Sequence, residues 1–506
     1  MISQHKFKII AVFFLAVILT ASLGACDMDE LPREEEDDVV IEKLIVGMGG
    51  TLTSLDPHGE NDANSNLVRN QIYDTLIVMN ENMEIEPGLA VDWEKNGTSW
   101  TFELREGVEF HNGEPFAAED VKYTLDRMLD DDDPAGAAFI LNMVEEINVK
   151  DDYELEIITE EPFAPLLRHL AHPATSILNK KAVENDNTVG TGAYQYGEWE
   201  AGNYVRLQRN ENFWGDNAEK SELRLEIIPD DSERANKLSQ GEIDIALSLP
   251  SEETNMTGID IIEHQTLATQ YVGFNLLKEP FDSQKVRQAL NYAVDVEELV
   301  EKVYGEGAEP AEGPISEEVF ASHQNLEDYG YDQNQAETLL EEAGYEEGFS
   351  TTIWTNDNPI RIEIAEEMKE DLEQIDIEAE IKILDWADYL EKTAEGEHEI
   401  FILGWVAVTG DADYGLYGLF HSDEQGHYGN NRTFYKNNKV DNLLEEGRET
   451  AIELARRSAY HEAQELIIAD APKIFIAHTL DMHGIQSNLF NFTPHPAGHH
   501  DFSSVR

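Results

Sequence analysis

The stretch from Phe401 to Tyr435 holds the residues best suited to binding a ligand. Phe401-Ile402-Leu403 has the apolar run of a buried strand, and Gly404-Trp405 end that run at a loop rich in Gly, Asp and Tyr. Ligands of open α/β sheets lie at strand ends, in concave sites with aromatic walls and a few polar groups. The stretch supplies both kinds of group, so Trp405 is a candidate wall of a ligand site.

Three residues elsewhere in the chain could also face a ligand. Tyr271 and Asn275 lie in a short apolar run that is typical of a strand, and Arg361 follows Asn358-Pro359 at the start of a helical pattern. A guanidinium suits a ligand carboxylate because it donates two parallel hydrogen bonds to it. The alternatives are a core ring for Tyr271 and a solvated side chain for Arg361.

The sequence lacks the motifs that mark common hydrolases. It has no Gly-x-Ser-x-Gly and no His-Glu-x-x-His, and its one cysteine, Cys26, lies near the N-terminus. Carboxylates could act as acid and base, but in so acidic a chain pairs of them arise by chance. The residues alone therefore do not favour an enzyme, and an exported hydrolase of peptides or glycans stays open as the alternative.

Two groups of histidines could bind a metal. His495, His499 and His500 form the sequence HPAGHH near the C-terminus, and His421 and His427 lie close to acidic residues. The spacing of the second group fits no established metal-binding motif, and the first group lies at a chain end. We expect neither a metal nor a cofactor, although nickel binding stays open as an alternative.

The charge of the chain is its most unusual property. Among 506 residues, 104 are acidic and 35 are basic, which gives a net charge of −69. Such a field repels nucleic acid and strains the compact state by self-repulsion in low salt. The Debye length falls from about 10 Å at 0.1 M salt to about 3 Å at 1 M, so brine would relieve the repulsion. We predict a halophilic source, with a moderately acidic secreted protein as the alternative.

The N-terminus has the pattern of an export signal. Lys6 and Lys8 precede the apolar run Ile9 to Leu19, which is too short for a confident membrane span, and the segment closes on Leu-Gly-Ala-Cys26. This closing sequence resembles a lipoprotein signal-peptidase site, which predicts a signal peptide over 1–25 and a lipid on Cys26. The alternative is an ordinary cleaved signal with an incidental cysteine. Residues 26–41 are strongly acidic and predict a solvated tether.

The second half of the chain alternates predicted helices and strands. Asp295 is expected to cap a helix with Glu298 as its partner, and Asp332 to cap another helix that Gly344 ends. Apolar residues alternate from Ile377 to Ile383 as they do in a strand with one buried face. The alternation of elements predicts the α/β class with a mixed sheet, and a chain of this length predicts two or three lobes.

The stretch from Trp100 to Met128 is the most distinctive pattern of the chain. Trp100 to Phe110 predicts a hairpin, Asn112-Gly113 a turn, and Val121 to Met128 a helix. Together with the preceding phrases LDPHGENDANSNLVRNQIYDTL and EPGLAVDWE, the block closely resembles the signature of the bacterial extracellular solute-binding proteins, family 5. These are the dipeptide, oligopeptide, glutathione and nickel receptors of ABC importers.

The resemblance implies a two-lobed periplasmic-binding-protein fold of type II, in the peptide-binding cluster, with an extra α+β subdomain. It places a discontinuous lobe I at 42–75, 190–272 and 477–506, and lobe II at 273–476. The extra subdomain would occupy 76–189. It further implies a monomeric receptor on the outer face of the cytoplasmic membrane, in the periplasm or at the cell surface, which takes part in peptide transport with an ABC permease and its ATPase.

The resemblance also bears on the ligand. In relatives that bind dipeptides, an aspartate after the Gly-Trp pair takes the ammonium group of the peptide, and Val408 stands at that position here. The phrase TGDADYGL looks more like that of glutathione-binding members, with Asp411 and Asp413 as the available anions; loop capping or acidic surface is the alternative for both. Relatives use an arginine at the position of Arg361 for a ligand carboxylate. A peptide is therefore the first expected ligand, glutathione the second and nickel the third.

Overall fold

The computed structural model describes residues 43–59, 62–130, 137–185, 187–250, 256–327, 329–425 and 430–506. The predicted signal peptide, Cys26 and the acidic tether lie outside the described residues. Within the described part, no helix combines the length and the apolar character that crossing a bilayer would require.

Strands and helices alternate along most of the chain. The strands are β1 (Lys43–Met48), β2 (Ile77–Met79), β3 (Ile85–Pro87), β4 (Ala90–Asn96), β5 (Ser99–Leu104), β6 (Val144–Asp151), β7 (Glu154–Thr159), β8 (Tyr194–Glu200), β9 (Tyr204–Arg209), β10 (Glu222–Ile227), β11 (Ile245–Ala246), β12 (Ile259–Phe274), β13 (Ala308–Pro310), β14 (Phe349–Asn356), β15 (Ile377–Leu384), β16 (Ile400–Val406) and β17 (Lys473–Gln486). The α-helices are α1 (Ala63–Ile72), α2 (Ala118–Met128), α3 (Leu166–His169), α4 (Lys180–Val183), α5 (Asp231–Ser239), α6 (Gln284–Ala293), α7 (Val296–Tyr304), α8 (Gln333–Ala343), α9 (Pro359–Glu373), α10 (Trp386–Ala394), α11 (Ala412–Phe420), α12 (Asn438–Glu449) and α13 (Glu453–Asp470). The predicted α/β class is confirmed.

Two long antiparallel strands, β12 and β17, join the two halves of one large mixed sheet. The strand order is β15-β14-β16-β12-β17-β11-β1-β10-β9-β8, with β13 on β17. The register of β12 on β17 shifts between Gln265 and Thr269, which is where the chain passes from one half to the other. The half with β14 to β16 and the half with β1 and β8 to β11 therefore share only two strands, while the predicted lobe boundaries stay a prediction.

The half-sheet of β14, β15 and β16 carries helices on both faces. On one face, apolar residues of α6, α7, α8 and α9 pack on Val272, Ile353 and Ile400. On the other face, α10, α11, α12 and α13 cover Tyr271 and Phe401. Each strand alternates its side chains between the two faces, so both sets of alternate residues are buried.

The predicted helix caps of this half are confirmed, except that Glu298 does not close a capping box on Asp295, whose backbone N–H donates to Oδ2 of Asp371 instead. The carboxylate of Asp295 accepts a hydrogen bond from the backbone N–H of Glu298 at the start of α7, and Asp332 does the same for Gln335 in α8. Gly344 ends α8 with φ = 85°, a left-handed conformation that glycine adopts without steric cost.

The stretch from Trp100 to Met128 differs from its prediction in one respect. The helix is confirmed as α2. However, β5 pairs with β4 and β7, and not with the residues that follow it, so the predicted hairpin from Trp100 to Phe110 is wrong. Gly107, with φ = 76°, turns the chain away, and Val108 and Phe110 are buried without joining the sheet. Their segment instead forms its own small antiparallel bridge, with Glu109 opposite Pro115 across the turn at Asn112-Gly113.

Candidate functional site

The carboxyl ends of three neighbouring strands meet at one edge of the sheet. Strand β14 is parallel to both β15 and β16. Asn356, Leu384 and Val406, their last residues, therefore lie on the same side of the half-sheet. We call this side the strand-end edge. It is the position at which open α/β sheets bind ligands.

Arg361 lies at the strand-end edge and has no acidic partner there. Its backbone N–H donates to Oδ1 of Asn358, the residue that caps the start of α9. Its Nη1 donates to Oδ1 of Asn356 at 3.0 Å. Its guanidinium carbon lies 5.4 Å from the ring centre of Trp386. It forms no ion pair with any residue that the structure describes, although the chain has 104 acidic residues. Its charge is therefore open to an anion from outside the chain.

Four exposed large apolar side chains lie at the same strand-end edge as this arginine. They are Ile360 (37% exposed), Ile383 (50%), Trp386 (46%) and Val406 (49%), which we call the apolar rim. Ile383 and Val406 continue the alternation of the buried residues Ala379 and Ile402, so both point to the sheet face that carries α9. Four of the twelve exposed large apolar side chains of the described residues thus belong to this one edge.

Two polar side chains, those of Gln270 and Thr355, lie in the strands of this part of the sheet. A methyl group on Gly404 would come within 2.5 Å of the side-chain amide of Gln270, so glycine leaves room for that amide to lie across β16. The hydroxyl of Thr355 is buried and has no hydrogen-bond partner among the described residues. The hydroxyl of Thr355, one position before Asn356, is therefore a hydrogen-bonding group near the strand-end edge that no described residue uses.

Of the residues predicted from sequence, Tyr271, Asn275 and Trp405 lie mainly in the interior. Tyr271 is 2% exposed and its ring meets that of Phe401 edge-on at 6.1 Å. Asn275 is buried and donates to two backbone carbonyls, those of Gly396 and His398. The half-buried ring of Trp405 lies 5.3 Å from that of Tyr414. Their predicted contacts with a ligand stay predictions.

The positive charge of Arg361 nevertheless acts on the hydroxyl of Tyr271. Burial raises the pKa of the Tyr271 hydroxyl, while Arg432 and Arg361 act in the opposite direction. The hydroxyl of Tyr389 donates to the carbonyl of Ile402. Arg361 and Arg432 also act to lower the pKa of this hydroxyl, against the larger effect of burial. Tyr271 therefore belongs to the layer of side chains below the strand-end edge.

Asp411 is fully buried and paired with two arginines. Its two oxygens accept from Nη2 and Nη1 of Arg456 at 2.7 and 3.0 Å, and Arg168 Nε lies 3.6 Å away. Burial by itself would raise the pKa of Asp411, but Arg456 and Arg168 together hold it below its usual value. Asp411 also caps α11 by accepting from the N–H of Asp413. The alternative of loop capping is therefore what the structure shows for this residue.

The carboxylate of Asp413 likewise accepts hydrogen bonds from residues of the chain itself. Its two oxygens accept from Nε and Nη2 of Arg448 at 2.9 and 3.0 Å, and the hydroxyl of Tyr460 lies 3.3 Å away. Asp411 and Asp413 thus stand together in a buried cluster of charges, away from the solvent. A ligand could reach either carboxylate only by replacing an arginine, and their predicted contact with a ligand stays a prediction.

The histidines near the C-terminus are packed in the interior of the other half. His495 Nε2 lies 3.1 Å from the carbonyl of Met79, and its backbone N–H donates to Nδ1 of His500. Burial lowers the pKa of His495 to about 4. His421 accepts from the N–H of Asp423, and His427 lies outside the described residues. In the part of the chain that the structure describes, no group of three or more His, Cys, Asp or Glu residues could hold a metal ion.

Sequence reasoning found Arg361 but missed its surroundings. Gln270, Asn356, Trp386 and Val406 carry no motif. Asn356, Trp386 and Val406 share one signal, since each lies in or just after a strand whose carboxyl end meets the strand-end edge, whereas Gln270 lies inside β12, which is antiparallel to β16. That signal is usable only once the strands have been paired and their directions are known.

Three comparisons with known proteins agree that the chain is similar to solute-binding proteins. The sequence profile of the bacterial extracellular solute-binding proteins, family 5 (middle region), matches residues 84–427. The chain is 30% identical to the glutathione-binding protein GsiB of Pectobacterium atrosepticum over 452 residues, 86% of this chain and 88% of that protein. Both structural neighbours that follow cover 92% of this chain at 28% identity. HbpA2 from Haemophilus parasuis superposes with a TM-score of 0.86 over 99% of its length. The periplasmic binding protein DppA from Helicobacter pylori, in complex with the peptide STSA, superposes with a TM-score of 0.74 over 97%. These matches confirm the predicted two-lobed periplasmic-binding-protein fold.

Proposed function

Because the chain belongs to the bacterial extracellular solute-binding proteins, family 5, we propose that it captures a peptide between its two lobes and delivers it to an ABC permease. Proteins of this family are receptors of importers and not enzymes, as the sequence predicted. Closure of the two lobes around the ligand would use the two strands, β12 and β17, that the halves share.

The single observation that carries the peptide proposal is Arg361. A free guanidinium at the strand-end edge is suited to the terminal carboxylate of a peptide, which it can bind through two parallel hydrogen bonds. Hydrogen bonds to charged groups contribute about 1.5 to 3 kcal/mol each. In a chain with a net charge of −69, an anion finds few places to bind, so a cation left unpaired at a strand end is informative.

Glutathione is the second candidate. The GsiB proteins to which this chain is 30% identical are named for binding it. Val408, where dipeptide-binding relatives carry an aspartate, also favours a ligand other than a simple dipeptide. Glutathione carries a terminal carboxylate that Arg361 could hold in the same way as that of a peptide.

The location of the protein is part of the proposal. The export pattern and the sequence Leu-Gly-Ala-Cys26 support a lipoprotein held at the outer face of the cytoplasmic membrane by a lipid on Cys26. The acidic residues 26–41 would then tether a monomeric receptor near its permease, and the surface charge supports a halophilic source.

The proposal is tested by calorimetry on the mature chain without Cys26, in molar salt. Di- to pentapeptides, glutathione and nickel are titrated in turn, and the peptides are recovered and analysed afterwards. We expect saturable binding of intact peptide that weakens at least about tenfold in Arg361→Gln. Arg457→Gln is the matched control, because Arg457 is an exposed arginine that pairs with Glu453 on α13. Hydrolysis of the peptide, or the absence of binding for every peptide and for glutathione, would overturn the proposal.

A further inference from the structure

We infer that the ligand of this receptor has a large apolar side chain on the residue that carries its terminal carboxylate, and no second negative charge. The inference rests on the proposed function, since it takes Arg361 as the partner of that carboxylate. It separates electrically neutral peptides with a C-terminal residue such as Leu or Phe from glutathione, which ends in glycine and carries a net negative charge.

The apolar rim supplies the first argument. A soluble surface tolerates single exposed apolar residues, but a group of them at one edge marks a binding surface. Trp386 lies against the guanidinium of Arg361, and Ile360 is its neighbour in the first turn of α9. A carboxylate on Arg361 would therefore place the side chain of the same residue over this rim.

The pattern of the strands supplies the second argument. On the face that carries α9, the core ends at Ile381 in β15 and at Ile402 in β16. Ile383 and Val406 continue the same alternation beyond it and remain about half exposed. Polar residues would be expected at such positions on a surface with this charge. The sequence instead keeps them apolar at the edge where a ligand binds.

The charges near the rim supply the third argument. Asp357 follows Asn356, with its Oδ1 3.4 Å from the amide of that residue, and Asp385 caps α10 directly before Trp386. Lys382 lies against the ring of Trp354 at 3.4 Å, and Arg432 donates to Leu390 and Thr393. Asp357 and Asp385 thus place two carboxylates in the loops that follow β14 and β15, and together with the net charge of −69 they disfavour a second anionic group on the ligand.

The test is a calorimetric comparison of the tripeptides Ala-Ala-Leu, Ala-Ala-Gly and Ala-Ala-Asp, with glutathione, on the mature chain in molar salt. We expect Ala-Ala-Leu to bind at least about thirtyfold more tightly than Ala-Ala-Gly, since a pocket discriminates about 10- to 200-fold per buried apolar group of this kind. Ala-Ala-Asp and glutathione should bind more weakly than Ala-Ala-Leu.

Variants of the rim locate the preference. In Val406→Ser and Ile383→Ser, the ratio of the Leu to the Gly affinity should fall to below about five. Leu454→Ser, which removes an apolar side chain that is 78% exposed on α13, should leave the ratio unchanged. Circular dichroism shows that each variant is folded before its ratio is measured.

Equal affinities for Ala-Ala-Leu and Ala-Ala-Gly, or tighter binding of glutathione than of Ala-Ala-Leu, would overturn the inference and leave the receptor function in place. A ratio that survives both rim substitutions would also overturn it, because the preference would then arise elsewhere. If neither the tripeptides nor glutathione bind, the proposed function on which the inference rests would be wrong.

Discussion

Arg456 holds Asp411 through two parallel hydrogen bonds inside the protein, with Nη2–Oδ1 at 2.7 Å and Nη1–Oδ2 at 3.0 Å. The two residues are 45 positions apart in sequence, at the start of α11 and in the first turns of α13. Arg168, which comes from α3, shares the same carboxylate. One buried anion therefore fixes three separate segments of the chain.

We expect Asp411→Asn to lower the free energy of unfolding by about 3 to 5 kcal/mol, because it leaves Arg456 and Arg168 buried without a counter-charge. Chemical denaturation in molar salt measures the change. The matched control is Glu453→Gln, which breaks an exposed pair with Arg457 and should cost less than about 1 kcal/mol. Similar losses in both variants would show that the pair of Asp411 contributes no more than a surface pair.

The buried histidines predict a loss of stability in mild acid. Burial lowers the pKa of His483 to about 4, from 6.5. The folded state thus favours the neutral ring, so the contribution of His483 is fully present above pH 6.5 and is lost as the pH falls from 6.5 to 4. We expect His483→Asn, whose amide oxygen can still accept from the N–H of Ser248, to reduce the slope of unfolding free energy against pH by about 1.4 kcal/mol per pH unit in that window.

Denaturation curves at pH 7, 6, 5 and 4.5 measure this slope. His323→Asn is the control, because His323 is partly exposed and lies beside Glu465 on the surface. An unchanged slope in His483→Asn would mean that His483 is not kept neutral by the fold.

Lys473 predicts a substitution that stabilises the protein. Its amine is fully buried, has no hydrogen-bond partner among the described residues, and lies 3.7 Å from the ring centre of Tyr271. Burial lowers the pKa of Lys473 well below 10.5, so the folded state favours the neutral amine. Its unfavourable effect on stability therefore grows as the pH falls below 10.5 and levels off below the folded pKa.

We expect Lys473→Met to raise the free energy of unfolding at pH 7 by about 1 to 4 kcal/mol, since an apolar side chain of similar volume removes the cost of burying the amine. The gain should shrink between pH 7 and pH 10, because the cost of losing the proton on folding falls as the pH approaches 10.5, the ordinary pKa of the lysine. Lys382→Met is the control, because Lys382 also lies over an aromatic ring but on an exposed edge strand. A loss of stability in Lys473→Met would show that the cation is held favourably by the aromatic rings.

The net charge predicts that salt stabilises the protein. Raising potassium chloride from 0.1 to 2 M should raise the melting temperature, because screening removes repulsion among 104 carboxylates that only 35 basic residues oppose. Most of the rise should occur below about 1 M, where the Debye length has fallen to about 3 Å. Sucrose of equal osmolality is the control, since it strengthens burial without screening charge. Equal effects of sucrose and salt would exclude electrostatic repulsion as the cause.

Local structure followed from the sequence where neighbouring residues decide it. Asp295 and Asp332 cap their helices, Gly344 ends one, and the apolar alternation from Ile377 to Ile383 forms a strand. Each of these outcomes depends on residues within one or two turns of one another, so a pattern in the sequence is enough to predict it. The family and its two-lobed fold were likewise predicted from the order of short phrases.

Only the tertiary structure decided which residues meet. The sequence predicted Asp411 as an available anion or as a loop cap or surface acid, and it could not show that Arg456, two helices further along in α13, pairs with it in the interior. Arg361 was found in the sequence, whereas its contact with Trp386 and its place beside Val406 depend on the parallel pairing of β14 with β15 and β16. Such contacts join residues that are distant in the chain, and their formation depends on strand register and helix packing, which no local pattern specifies.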